Sequence, residues 1–169
     1  MDFFDVVKKR ASVRSFSPCQ ITDKELVRIL DAGRRAPSGY NVQPWEFILI
    51  KDKALLEKLG KVQGCISESS AAIAVVVDAD MTDFWVEDAS AAIENMLLAI
   101  EALGYASLWV EGYVMKHEKM AKKVLGVPKE KRLLAILPIG NPASESRQAG
   151  KKKLSELVSL NQYGETLDW

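Results

Sequence analysis

The chain has 169 residues, with 23 Lys and Arg set against 23 Asp and Glu, 48% hydrophobic residues and 27% charged ones. Length and composition describe one ordinary globular domain, 1–169, large enough for its own core, and zero net charge argues against a chain that coats nucleic acid or an acidic disordered chain. Cys19 and Cys65 form no CxxC pair and His117 is the single histidine, so neither a disulfide framework, a zinc site nor a multi-histidine metal centre is indicated.

Residues 2–9 place Phe3, Phe4, Val6 and Val7 at helical spacing, and the start Met1-Asp2-Phe3 lacks the basic opening and apolar run of a signal peptide. No stretch reaches the roughly 18 apolar residues of a membrane span, so no membrane partner is expected and the cytoplasm is the expected compartment. Thr22 and Glu25 spell a capping box. The helix they open turns Leu26, Ile29 and Leu30 inward and ends before Pro37. Ser38 to Pro44 is a loop by composition, Trp45–Ile50 a strand, 53–63 a short helix, and the unbroken apolar run Ala71–Val77 a strand buried on both faces. Residues 83–103 carry the longest helical pattern, with Trp85, Ala89, Ile93, Met96, Ile100 and Leu103 on one face and Glu87, Glu94 and Glu101 as a polar stripe. Gly104 stops it. Tyr105–Val110 reads as a strand, 117–125 as a basic helix ending at Gly126, and Leu133–Leu137 as a further buried strand; the tail from about 144 is polar. Mixed helices and strands in this length give an α+β class, an α/β sandwich.

Charge is segregated along the chain. Residues 62–115 hold nine acids and no Lys or Arg, a pattern that fits solvated helix faces or an anion site built from the outer segments. Chemistry on side chains is weakly indicated: GxSxG, GxGxxG and Walker motifs are absent, and His117 sits in a Lys-rich helix as a surface residue. The segment Arg10-Ala11-Ser12-Val13-Arg14 differs. In an extended stretch Arg10, Ser12 and Arg14 project from one side, and two guanidinium forks flanking a hydroxyl suit a phosphate. The same cluster also reads as ordinary surface.

Arg10, Ser12, Arg14 and Phe16 resemble, in spacing and place, the Arg-x-Ser-x-Arg-x-Phe opening of the nitroreductase family of flavoproteins. Ala36-Pro37-Ser38-Gly39-Tyr40-Asn41-Val42-Gln43-Pro44-Trp45 is similar to its second motif, Glu94–Gly104 continuing to Trp109 to its central helix and following strand, and Leu137-Pro138-Ile139-Gly140-Asn141-Pro142 to its closing strand. The resemblance covers nearly the whole chain. It implies a mostly antiparallel sheet flanked by helices and a homodimer with FMN at the subunit interface. It also implies NADH or NADPH as electron donor, and ping-pong transfer of hydride through FMN to a nitroaromatic, quinone or similar small-molecule acceptor.

Residue by residue, the resemblance assigns the phosphate and ribityl chain to Arg10, Ala11, Ser12 and Arg14. It assigns to Pro37, Ser38, Gly39 and Asn41, with Gln43 beside them, a loop that meets the flavin held mainly by the other subunit. Val110, Glu111 and Gly112 would run beside the ring, a backbone amide approaching N5 and O4. Lys151 and Lys152 stand where the family has a basic phosphate contact, often Arg-Lys; a lysine there is a point charge without the bidentate fork. No catalytic side chain and no metal are implied, because the chemistry resides on FMN. Tyr40 and Trp109 are candidates for the substrate pocket, with core packing the other reading of Trp109. Two further readings stay open: a specialised enzyme on the same fold (dehalogenating, flavin-cleaving or peptide-oxidising), and a flavin-binding protein without turnover.

Overall fold

The apolar run Ala71–Val77 forms the strand on which the sheet is built, every residue of it buried. In this computed structural model, which describes residues 2–166, it is β3 of five strands. Met1 and residues 167–169 of the expected domain lie outside the described residues. β1 is Phe16–Ser17, β2 Trp45–Ile50, β4 Ala106–Ser107 and β5 Arg132–Pro142. The order is β1-β5-β3-β2 with β4 also paired to β5, and every strand pair is antiparallel. β3 is central and carries side chains on two packed faces, which is why its sequence does not alternate.

Among the described residues six α-helices surround the sheet: α1 Phe3–Lys9, α2 Asp23–Arg34, α3 Lys53–Leu59, α4 Cys65–Glu68, α5 Trp85–Ala102 and α6 Gly112–Leu125. One core layer joins α2 and α5 to the sheet through Leu26, Ile29, Ile73, Ile93, Met96 and Ile100; the other packs α3, α4 and α6 against its opposite face. The expected sandwich is therefore observed. α2 begins with the expected box, Glu25 N donating to Thr22 Oγ1 at 3.2 Å and Thr22 N donating to Glu25 Oε2 at 2.9 Å. It lies tight on α5 at Gly33, where a Cβ would stand 2.8 Å from Met96 Cγ.

Several boundaries differ from the sequence reading. The strand expected over Tyr105–Val110 is only Ala106–Ser107 plus a bridge from Val110 to Ile136, because Leu108 and Trp109 pass between those pairing points without joining a strand. The last strand is longer than Leu133–Leu137, since its polar ends pair with β1 and β3. The helix read over 53–63 stops at Leu59, and α4 follows it. The helix read over 117–125 starts at Gly112, five residues early, with a kink at His117 (φ −120°). The apolar spacing of α1 buries only Val6, leaving Phe3, Phe4 and Val7 exposed.

Candidate functional site

Arg10 ends α1, and the chain beyond it runs extended along the short strand β4. Val13 N donates to Ser107 O at 3.0 Å, and Ser12 forms a parallel bridge with Ser107. This seating produces the alternation expected of the motif: Ala11 and Val13 are buried, while Ser12 and Arg14 face solvent and Arg10 is half-buried. Arg10 reaches α5, where its Nε stands 3.8 Å from Glu94 Oε1. Glu101, one heptad further along α5, is pushed up in pKa by burial, opposed by the charges of Lys9 and Arg10. Arg14 Nη1 makes a long contact to Ser12 O at 3.5 Å. Apart from these contacts, neither guanidinium group has a partner among the described residues.

The same strip continues to Val110, which is buried and paired to Ile136. Two residues, Leu108 and Trp109, separate Ser107 from Val110, a span of about 10 Å in extended chain. Glu111 then caps α6 without a side-chain bond. The amides of Gly112 and Tyr113 have no acceptor among the described residues, as expected of a helix first turn, and a Cβ added to Gly112 would meet nothing within 4 Å. The Glu111 side chain lines a small cavity of about 90 Å³ with Trp85, Met115 and Arg132.

Ser38–Gln43 is a strained loop. Tyr40 (φ 51°), Asn41 (φ 57°) and Gln43 (φ 53°) all lie in the left-handed region, at about 1–2 kcal/mol each for side chains with a Cβ. Strain of this kind collects at functional sites. Local hydrogen bonds hold it: Gln43 N donates to Ser38 Oγ at 3.0 Å, and Gln43 Nε2 to Asn41 O at 3.1 Å. Gln43 thus has a structural part inside the loop. Pro37 is exposed, and Tyr40 is 95% exposed, free of the core. Trp109 packs against the α5 side of the core, its Nε1 buried and without a partner among the described residues.

Lys151 and Lys152 lie in the exposed tail. Three residues before them, Gln148 Nε2 donates to Val7 O at 3.0 Å and Arg10 O at 3.1 Å, fastening the tail to the end of α1. The geometry therefore brings the Arg10–Arg14 segment, the tail and the Val110–Gly112 turn along one strip. The Ser38–Asn41 loop is a separate feature, seated on the first turn of α5.

Four contributors escaped the sequence reading. Asp88 holds the loop at Gly39 N (2.8 Å); its readable signal is an acid three residues after Trp85, on the apolar face of α5. Ser107 is buried beside the motif, its Oγ without a partner among the described residues, and Gln148 carried no signal at all. Glu118 binds Arg132 Nε at 2.9 Å and Leu133 N at 3.0 Å. Burial raises its carboxyl pKa, but the Arg132 side chain, the Leu133 amide and the nearby Arg132 and Lys122 charges outweigh that and hold it below the usual carboxylate range. No group of three or more His, Cys, Asp or Glu among the described residues could hold a metal, and no helix among them is long and apolar enough to cross a membrane.

Comparison with known proteins agrees with this architecture. The sequence profile of the Nitroreductase family matches residues 7–75 and 65–141. A protein of Archaeoglobus fulgidus, named as a candidate NADH dehydrogenase/NAD(P)H nitroreductase, is 35% identical over 148 residues, covering 83% of this chain and 85% of its own length. A crystal structure from Bacteroides thetaiotaomicron under a similar name superposes with a TM-score of 0.88 at 29% identity, covering 95% of this chain and 98% of that one. An FMN-dependent nitroreductase from Clostridium difficile gives 0.85 at 27% identity, covering 95% and 99%. With its profile matched from residue 7 to residue 141 and its sheet and helices in the same arrangement, the chain belongs to the nitroreductase family.

Proposed function

We propose that the protein is an FMN-dependent oxidoreductase. It takes hydride from NADH or NADPH and passes it, in ping-pong fashion, to nitroaromatics, quinones or similar small acceptors, working as a homodimer in the cytoplasm. The observation that carries the reading is the strip running from Arg10 to Gly112. Two guanidinium groups with donors free among the described residues flank the exposed Ser12 at one end, and α6 amides with no acceptor among those residues stand at the other, beginning five residues along the chain from Ser107. A dianionic phosphate suits the first end, and an acceptor edge on a flat ring suits the second. The buried, unpartnered Ser107 Oγ beside Ser12 is a polar atom that a ligand or water at this place would satisfy. The donor set thus fits FMN.

In this reading Arg10, Ser12 and Arg14 bind the phosphate, with Ala11 presenting main chain between them. Lys151 and Lys152 add charge from the tail that Gln148 anchors. The Gly112 amide orients the ring edge, and the open space over Gly112 lets that edge come close. Pro37, Ser38, Gly39 and Asn41 close over the flavin of the partner subunit, and Tyr40 borders the acceptor space. FMN, when bound, supplies the hydride-exchanging centre that these side chains lack. No side chain is required as general acid. The relative named as FMN-dependent supports the cofactor, and the NAD(P)H names of the relatives support the donor.

The test is spectroscopic. Protein reconstituted with FMN is expected to be yellow and to bleach under anaerobic conditions when NADH or NADPH is added, regaining colour with a quinone or nitroaromatic. Protein that stays colourless after reconstitution refutes the cofactor assignment. Bound flavin reduced no faster than free FMN refutes turnover.

A further inference from the structure

Asp88 stands in the first turn of α5 and is 6% exposed. Its Oδ1 accepts from Gly39 N at 2.8 Å, across 49 residues of sequence. Its Oδ2 is buried without a partner among the described residues. Asp88 takes part in none of the ion pairs among the described residues, and residues 62–115 supply no cation for it. A buried carboxylate without a cation is costly unless its hydrogen bonds answer a need.

Helix electrostatics explain part of the placement, since a first turn favours negative charge. They do not explain the direction of the side chain. Asp88 caps no amide of its own helix, and the adjacent exposed Glu87 supplies first-turn charge at no burial cost. The oxygen is spent on Gly39.

Gly39 opens the stretch that contains the three left-handed residues. The other bonds of this loop, Asn41 N to Ser38 O, Val42 N to Gly39 O, and the two made by Gln43, all lie within it. They stabilise its shape without fixing where it sits. Its far end is tied to the body where Asp78 N donates to Pro44 O at 3.0 Å. At its near end the tie is Asp88, aided by Phe84, whose ring lies so close to Gly39 that a Cβ there would be 3.1 Å from Cδ2. The first turn of α5 is thus the seat of the loop.

We propose that Asp88 is a positioning residue for cofactor binding: by accepting from Gly39 N it holds Ser38–Asn41 in the conformation that closes on the flavin. This rests on the FMN reading above. Asp88 touches no reacting atom and acts through the loop. A neutral side chain with a carbonyl oxygen at the same place serves as well, because the acceptor and not the charge is what Gly39 uses.

The full-length protein, stripped of flavin, is titrated with FMN by quenching of FMN fluorescence, and exchange of the Gly39 amide proton is followed by NMR. Asp88→Ala is expected to raise the FMN dissociation constant at least tenfold and to speed Gly39 exchange at least tenfold. The melting temperature of the flavin-free protein should move by no more than a few degrees. Asp88→Asn, which keeps the acceptor, stays within threefold of wild type in both readouts, as does Glu87→Ala. If the alanine variant does not fold, Asp88→Ser, whose hydroxyl ends short of Gly39, takes its place with the same expected losses. FMN affinity unchanged in the alanine or serine variant overturns the proposal. So does an asparagine variant as weak as alanine, or a wild-type Gly39 amide that exchanges as fast as that of exposed Tyr40. Wild-type protein that fails to bind FMN overturns the cofactor reading instead, and a protected Gly39 amide in that same protein shows the Asp88 contact to be intact.

Discussion

Arg10 carries the clearest single-residue expectation. Its contact with Glu94 is long, 3.8 Å through Nε, and leaves the outer guanidinium nitrogens available. Hydrogen bonds to a charged group contribute about 1.5–3 kcal/mol, so Arg10→Ala should weaken FMN binding roughly 10- to 100-fold in equilibrium titration. Lys123→Ala, at an exposed position on α6, should change it less than twofold; equal losses would refute the clamp. Glu118 gives a pH expectation. Its folded-state pKa is depressed, so its stabilising contribution is present above the unfolded value and is lost as pH falls through the lower folded value. Glu118→Gln should therefore cost about 1–2 kcal/mol at pH 7. The gap to wild type in urea unfolding should close once both are acidified below the carboxylate range. A gap that persists there would mean lost packing, not lost charge. At this scale the sequence revealed Arg10, Ser12 and Arg14, whose alternation is local. It did not reveal Asp88 or Gln148, whose partners lie 49 and 138 residues away.

Elements were legible where one local signal sufficed. The capping box starts α2, and seven consecutive apolar residues could only be a strand or a helix segment buried all round. α6 shows the opposite case. Glycine disfavours a helix by about 1 kcal/mol relative to alanine, yet the helix expected from 117 starts at Gly112, with Val114 and Ala121 drawn into the core. The contact of α2 with α5 offers a test of packing. Gly33→Ala gains helix propensity, but its Cβ would press within 2.8 Å of Met96 Cγ, and Met96 is fully buried. Overpacking should win by about 1–3 kcal/mol, and thermal unfolding should shift down by roughly 3–9 °C. An unchanged or raised melting temperature would show that Met96 has room to move.

At the scale of the whole molecule, the exposed apolar side chains include Phe3, Phe4 and Val7 on α1, and Leu154, Leu157, Leu160 and Tyr163 on the tail. Apolar groups left in water mark an interface, and Gln148 ties the start of the tail to α1. We propose that the dimer covers them. Sedimentation is expected to give twice the 18.7 kDa chain mass, and Phe3→Ser with Phe4→Ser should shift it toward the single chain and weaken FMN binding with it. A monomer that binds FMN as tightly as wild type would place the whole site within one chain.

By itself the sequence determined the family, the layers and the cationic motif, because burial pattern, capping and alternation depend on neighbours within a few residues. Only the tertiary structure decided that Ser12 lies against Ser107, that the tail returns to Arg10, and that an acid on the apolar face of α5 holds the strained loop at Gly39. Those are contacts between segments whose separation along the chain carries no trace of their distance in space. They form because the core leaves each segment one place in which its backbone groups are satisfied.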